Sequence, residues 1–296
     1  MTDGALVLDK AVGLTSNRAL QEAKKLLAAR KAGHGGTLDP LASGLLLILV
    51  GEGTKFAGPM LDADKEYLAT VRLGVTTTTA DAEGEVLEQR PVDVSAAQVA
   101  TVLERFRGPI DQLPPMHSAL KHQGVPLYEH ARAGRTIERA VRRVAIHELE
   151  LLQCAPPILE LRVHCSKGTY VRTLAEDIGA ALGTGAHLAA LRRTRAGRFN
   201  VRDAVTLEQL RAMPDRRVAL LPLRALLEGL PSAELDADAE ARLRNGQSLK
   251  ISGLETGLLA LYGIDGQVIG LGEAHAEGLL KPLRLTQAAE KHRKTL

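Results

Sequence analysis

The chain has 296 residues, of which 45% are hydrophobic and 25% charged, an ordinary globular composition long enough for one large domain plus a small one. Its two cysteines, Cys154 and Cys165, are too few for a disulfide framework or a structural zinc site, and no apolar run reaches the roughly 18 residues a membrane helix needs. There is no Trp, and only four Tyr and three Phe. That argues against a carbohydrate platform or a broad base-stacking sheet.

In chain order, Ala5–Asp9 reads as a short strand. Ser16 can cap a helix running to about Arg30, with Leu20, Ala23 and Leu27 on one face. A loop rich in Gly and Pro follows at 31–44, and the apolar run Leu45–Val50 reads as a buried strand behind it. Lys65–Leu73 alternates apolar and polar residues as a half-buried strand does. The segment 76–84 is loop-like, and Ser95 can cap a helix to about Arg107. Pro-rich sequence at 108–124 ends regular structure. A basic, Gly-interrupted stretch, about 121–145, is expected to reach over a surface as an insertion. Ile158–Cys165 is a strand, and Thr169–Leu182 and Thr206–Met213 are helices.

A boundary is expected near 229–235, where Gly and Pro meet a change in pattern. Beyond it come a helix at Ala237–Arg244, an Asn-Gly turn and strands at Leu258–Tyr262, Val268–Gly272 and Leu279–Leu285. The expected class is therefore α+β, with a large mixed sheet flanked by helices over 1–230 and a small β-rich unit over 231–296. The opening Met-Thr-Asp-Gly-Ala lacks the basic and apolar stretches of a signal peptide, so a cytoplasmic location is expected.

Net charge is only +3, but it is unevenly spread. Residues 121–202 hold 14 Lys or Arg against 7 Asp or Glu, an excess of seven. Arg192, Arg193, Arg195, Arg198 and Arg202 fall close together with no acid between them. A solvated basic face would look like this, but the predominance of arginine suits bidentate phosphate contacts and points to nucleic acid.

One carboxylate, Asp39, lies within Lys31-Ala-Gly-His-Gly-Gly-Thr-Leu-Asp-Pro-Leu-Ala-Ser-Gly44. Such a loop bends sharply and lets its backbone approach a ligand. Asp39 before Pro40 is either a turn former or a nucleophile or base. Neither a G-x-G-x-x-G nor a Walker pattern is present.

This loop resembles the signature of the TruB-type tRNA pseudouridine synthases, and further blocks resemble the family in its order. They are Gly4-x-Leu-x-Leu-Asp-Lys10, Lys65-Glu-Tyr67, Pro114-Pro-Met-x-Ser-Ala-Leu-Lys121, Cys165-Ser-Lys-Gly-Thr-Tyr-Val-Arg-Thr173 and Leu191-Arg-Arg-Thr-Arg-x-Gly-x-Phe199. Arg242-Leu-Arg-Asn-Gly-Gln247 is similar to the entry of a C-terminal PUA domain. The resemblance implies conversion of uridine 55 in the T loop of tRNA to pseudouridine, by flipping the base and using an aspartate as nucleophile or base. It implies no metal and no cofactor. The T arm of tRNA would be the partner, with no membrane and no obligatory protein partner. A monomer is expected, since no dimerisation stripe is evident.

By the same resemblance Asp39, Tyr67 and Arg172 are catalytic. Tyr67 would stack on the base, and Arg172 would pair with Asp39 and keep it ionised. His34 would enter the T loop, Lys10 would support the Asp39 loop, and Asp81 would hydrogen-bond near the site. Lys167, Arg192 and Arg193 would contact phosphates. Ser43, Leu46 and Leu47 are expected to shape the pocket wall. Ala11, Gly35, Thr78 and His117 depart from the family pattern without removing a catalytic residue. Two other readings use the same basic surface, a non-catalytic RNA-binding protein and a guide-RNA-dependent synthase. A glycosidase pairing Asp39 with Asp81 fits poorly with so few aromatics.

Overall fold

The computed structural model describes residues 2–118 and 120–287. Its first half runs β1 (Gly4–Lys10), α1 (Ser16–Leu26), β2 (Ala32–His34), β3 (Ala42–Val50), α2 (Ala57–Asp62) and β4 (Lys65–Leu73). Next come the hairpin β5 (Val75–Thr77) and β6 (Val86–Gln89), then α3 (Ala96–Glu104) and β7 (Gly108–Gln112). A short hairpin, β8 (Lys121–His122) and β9 (Val125–Pro126), leads into α4 (Leu127–Arg132). Then follow β10 (Arg142–Ala155), β11 (Ile158–Cys165), α5 (Val171–Ala181), β12 (Ala186–Ala196), β13 (Phe199–Asn200), α6 (Leu207–Ala212) and β14 (Leu220–Leu221).

The main sheet has the order β14-β1-β3-β12-β4-β11-β10-β7, with β2 beside β3 and β13 beside β12. Its neighbours are antiparallel except β3 and β12, which pair in parallel. The unbroken apolar run of β3 explains its central place. Leu46, Ile48 and Val50 face one core, with α1, α3, α5 and α6 on that side, while Leu45, Leu47 and Leu49 face a second core on the reverse side. A strand covered on both faces is apolar throughout. β4 instead alternates buried and half-exposed residues, as its sequence predicts.

The rest of the chain forms a second sheet of five strands. These are β15 (Ser232–Leu235), β16 (Leu249–Lys250), β17 (Gly257–Gly263), β18 (Val268–Ala274) and β19 (Leu279–Leu285), with α7 (Ala237–Arg244) packed on them. Residues 288–296 of the expected small unit lie outside the described residues. Ala260, Tyr262 and Leu271 of this sheet join the reverse core of the main sheet. Arg224 lies over the Tyr262 ring, 4.7 Å from its centre. Lys55 Nζ donates to the Leu285 carbonyl at 2.8 Å across the same junction.

The structure departs from the sequence expectations at several points. Thr15, not Ser16, caps α1 by accepting from the Arg18 amide. The helix stops at Leu26, four residues early, because Leu27 closes it and Ala28 turns to φ +50°. The basic stretch contains β8, β9 and α4, and its last residues belong to β10. β10 and β12 have no counterpart in the sequence reading.

Candidate active site

Asp39 sits in the β2–β3 loop, and three separate elements hold that loop in place. From α1, the Ser16 hydroxyl both donates to the Leu38 carbonyl and accepts from the Leu38 amide, each at 2.8 Å. This task, rather than capping, is why Ser16 is buried. From the end of β1, Lys10 Nζ donates to the carbonyls of Ala11 at 2.9 Å and Leu14 at 2.7 Å, and reaches Pro40 at 3.5 Å. From β12, Arg193 Nε donates to the Leu45 carbonyl at 2.7 Å, and its two terminal nitrogens donate to Thr37 and Gly36 at 3.2 Å. Gly44 at φ +98° is required here, since a Cβ would lie 2.3 Å from the Arg193 carbonyl oxygen.

Arg172 enters from the second position of α5. The approach to this helix is clamped by Gln112 of β7, whose amide accepts from the Tyr170 backbone N–H at 3.0 Å and donates to the Tyr170 carbonyl at 3.3 Å. A cation at a helix N-terminus opposes the helix dipole, and two carboxylates offset it. Arg172 Nε lies 3.0 Å from Asp39 Oδ2, and Nη1 lies 3.6 Å from Asp81 Oδ2. The guanidinium also donates to the carbonyls of His117 at 2.7 Å and Thr79 at 3.2 Å. Asp81 is fixed in turn by the Thr79 hydroxyl and by the Glu83 amide at 3.1 Å.

The Asp39 carboxylate lies in the wall of a cleft of about 870 Å³, which is wide enough for a nucleoside. Tyr67, Arg172, Arg193, Asp81 and His34 also line the cleft, as do Leu38 and Leu191. Tyr128 and Arg132 of the basic stretch also line it, as does Ser118 shortly before that stretch. Arg132 stacks over the Tyr128 ring at 5.4 Å.

Burial controls the protonation of this cleft. Asp39 keeps 40% of its side chain exposed but is hemmed in by the cleft walls. Desolvation pushes its carboxyl above the usual carboxylate range, with Arg172 pulling it back and Asp81 pushing it up further. The expected Asp39–Arg172 pair is present, yet it tempers the rise rather than producing a strongly acidic group. Desolvation pulls Lys10 down to about 8 against the attraction of Asp39, and pulls Lys65 of β4 down to about 8 as well. His34 is lowered by burial and then by Arg193, which favours the neutral imidazole. The Tyr67 phenol is raised by burial, and Arg193 opposes that rise.

The structure brings Asp39, Tyr67, Arg172, His34 and Asp81 to one cleft, with Lys10 directly beneath their loop. It separates the expected phosphate contacts. Arg193 is only 2% exposed, so it cannot be a surface phosphate ligand. Arg192 points to the opposite face of β12, where it pairs with Asp9 at 2.6 Å, and it does not line the cleft. Lys167 lies exposed beside the cleft residues Ser166 and Gly168, paired with Asp62 at 2.8 Å. Ser43, Leu46 and Leu47 do not form the wall, since Leu46 and Leu47 belong to the two cores. Lys65 was missed by the sequence reading as a cleft residue. Its ammonium donates to carbonyls at the end of α2, to Leu61 at 2.6 Å and Ala63 at 2.5 Å. Only its place two residues before Tyr67 on an alternating strand signals that it shares the Tyr67 face.

Comparison with known proteins agrees with this geometry. Residues 24–171 match the TruB family pseudouridylate synthase N-terminal domain, and residues 172–232 match the tRNA pseudouridylate synthase B C-terminal domain. The chain belongs to the TruB family of pseudouridylate synthases. Residues 231–286 match a further TruB C-terminal domain. Among TruB relatives, the tRNA pseudouridine synthase B of Burkholderia mallei (strain NCTC 10247) is 54% identical over 96% of both chains. That of Thiobacillus denitrificans is 55% identical over 96% of this chain and 95% of its own. A solved Cbf5-Nop10-Gar1 complex contains a chain of the same fold. It has a TM-score of 0.74 and 29% identity, and the match covers 96% of this chain and 84% of that one.

Proposed function

We propose that this chain isomerises uridine 55 in the T loop of tRNA to pseudouridine, with Asp39 as the nucleophile or base. The observation that carries the reading is the placement of Asp39. It sits in a nucleoside-sized cleft, aimed by Arg172 and facing Tyr67. The names of the TruB relatives extend the reading to tRNA. Flipping a base out of its stack costs a few kcal/mol, recovered by enclosing it. Tyr67 supplies a flat partner for the extruded ring. The raised carboxyl strengthens Asp39 as a base, and Arg172 holds enough of it ionised to act. His34, held neutral, suits insertion into the space left by the base. Lys167 at the rim suits a phosphate. Residues 231–287 suit a second contact with tRNA as a PUA-like unit. We infer that the enzyme acts alone, as a monomer without a guide RNA.

The test is incubation of the purified protein with an unmodified tRNA transcript and no guide RNA, comparing wild type, Asp39→Asn and a transcript with cytidine at position 55. Pseudouridine formed by wild type alone, and only on the uridine transcript, is the expected result. Product formed equally by Asp39→Asn sinks the role of the carboxylate.

A further inference from the structure

Among the described residues, four cations line the cleft: Lys65, Arg132, Arg172 and Arg193. They differ in what offsets their charge. Arg172 faces two carboxylates. Lys65 directs its ammonium to the carbonyls ending α2 and is drawn down to about 8. Arg132 lies exposed on the insertion, where water screens it. Arg193 is buried and always charged. It uses three of its five N–H groups on neutral carbonyls, and among the described residues no carboxylate pairs with it. It is also the register partner of Tyr67 in the sheet, so its charge lies next to the ring proposed to carry the base.

Resting on the Asp39 reading above, we infer that Arg193 is the fixed cation that stabilises negative charge on the uracil ring while its bond to the ribose is exchanged. Each available route moves the charge of Asp39 onto the base. If Asp39 attacks C1′, its oxygen forms the new bond and the C1′–N1 pair leaves on N1. If Asp39 takes the C2′ proton, the C2′–H pair forms a C1′–C2′ double bond and the C1′–N1 pair again leaves on N1. If Asp39 adds to C6, the C5–C6 π pair moves toward O4. In the first route C5 then bonds to C1′ using ring electrons and displaces the Asp39 carboxylate. In the second Asp39 returns its proton to C2′ as C5 bonds to C1′, which restores both the sugar and the carboxylate. In both the C5 proton is lost and N1 gains one. In the third, the adduct undergoes the same exchange at C1′ before Asp39 leaves C6. Once Asp39 is neutralised, Arg172 stays paired with Asp81. Of the other charges lining the cleft, Glu83, Lys65, Arg132 and Arg193, Arg193 is the buried, permanently charged cation with no carboxylate partner among the described residues. Held by three carbonyls and shielded from water, it needs no rearrangement to act, which is the condition under which such charges are most effective.

The test is single-turnover kinetics on tRNA carrying uridine or 5-fluorouridine at position 55, with wild type, Arg193→Met, Arg193→Gln, Arg193→Lys and Asp39→Asn. Fluorine withdraws electrons and makes a ring anion less dependent on outside help. Since it replaces the C5 proton that uridine loses, the rate read on both substrates is that of the exchange of the C1′–N1 bond for a C1′–C5 bond. The two uncharged variants, with thermal melts confirming their fold, are expected to lose about 100-fold in rate on uridine. They should lose roughly tenfold less on 5-fluorouridine, with tRNA affinity within about threefold of wild type, and Arg193→Lys should recover much of the rate. An equal loss on both substrates with no benefit from lysine would reduce Arg193 to a clamp on the loop. A loss of affinity without a loss of rate would make it a phosphate ligand, and no loss at all would leave it idle. Each of these overturns the proposal. Activity in wild type but not Asp39→Asn secures the underlying reading independently, whereas an inactive wild type brings both down.

Discussion

The start of α5 and the middle of β12 each bury an arginine, 5% and 2% exposed, but in opposite company. At α5 the guanidinium meets the carboxylates Asp39 and Asp81. In β12 it meets the carbonyls of Gly36, Thr37 and Leu45. The first arrangement holds Asp39, the group proposed to react, and its charge is offset in doing so. The second fixes the backbone around that group and leaves a positive field. The same residue type thus performs two tasks that its neighbours determine.

The most direct way to break this contrast is to remove the anion. Asp39→Asn should lower the pseudouridine-forming rate by about 10⁴-fold or more, the scale of losing a nucleophile, in a quenched single-turnover assay. Arg172→Met comes next. It strands buried Asp81 beside Asp39, and breaking a buried pair costs about 3–5 kcal/mol. The melting temperature should fall by several degrees and the rate by about 100-fold, with the acidic limb of the pH–rate profile moving to higher pH because the main opposition to the desolvation of Asp39 is lost and only the weaker attraction of Lys10 remains. Tyr67→Leu should lose more rate than Tyr67→Phe, which keeps the ring, and equal rates for the two would remove stacking from the account.

A smaller effect concerns pH. The folded carboxyl of Asp39 is raised above its unfolded value, so its favourable contribution is complete below the unfolded value and fades as pH rises through the folded one. Asp39→Asn should therefore melt slightly higher than wild type at pH 8, with the gain shrinking toward pH 4. Smallest of all, Lys167→Ala should weaken tRNA binding uniformly and reduce the log–log salt slope by about one. Arg192→Ala should leave that slope unchanged, because its guanidinium lies with Asp9 on the face of β12 away from the cleft.

The sequence reveals the strands that obey a simple pattern. β3 shows as an apolar run, β4 as an alternation, and β11 and β17–β19 as short apolar segments. β12 stays hidden because its two central arginines look like a solvated surface, yet one is buried by hydrogen bonds to distant carbonyls that no local pattern records. β10 is masked by its charged residues and by its register shifts. Asp39 is legible because Gly and Pro frame it and because its motif is distinctive. Arg172 is legible only through its motif, since helical periodicity gives no reason for a buried cation in a first turn. The roles of Lys65 and Arg193 depend on which strands lie side by side, and that information is not local.

The strand that follows Asp39 is pressed between two cores, with Leu45, Leu47 and Leu49 covered in part by Ala260, Tyr262 and Leu271. A chain cut at residue 230 would lay bare an oily seam directly behind the Asp39 loop, and such a patch invites clumping. The terminal sheet is thus a lining that the catalytic half cannot discard, whatever it grips on the RNA.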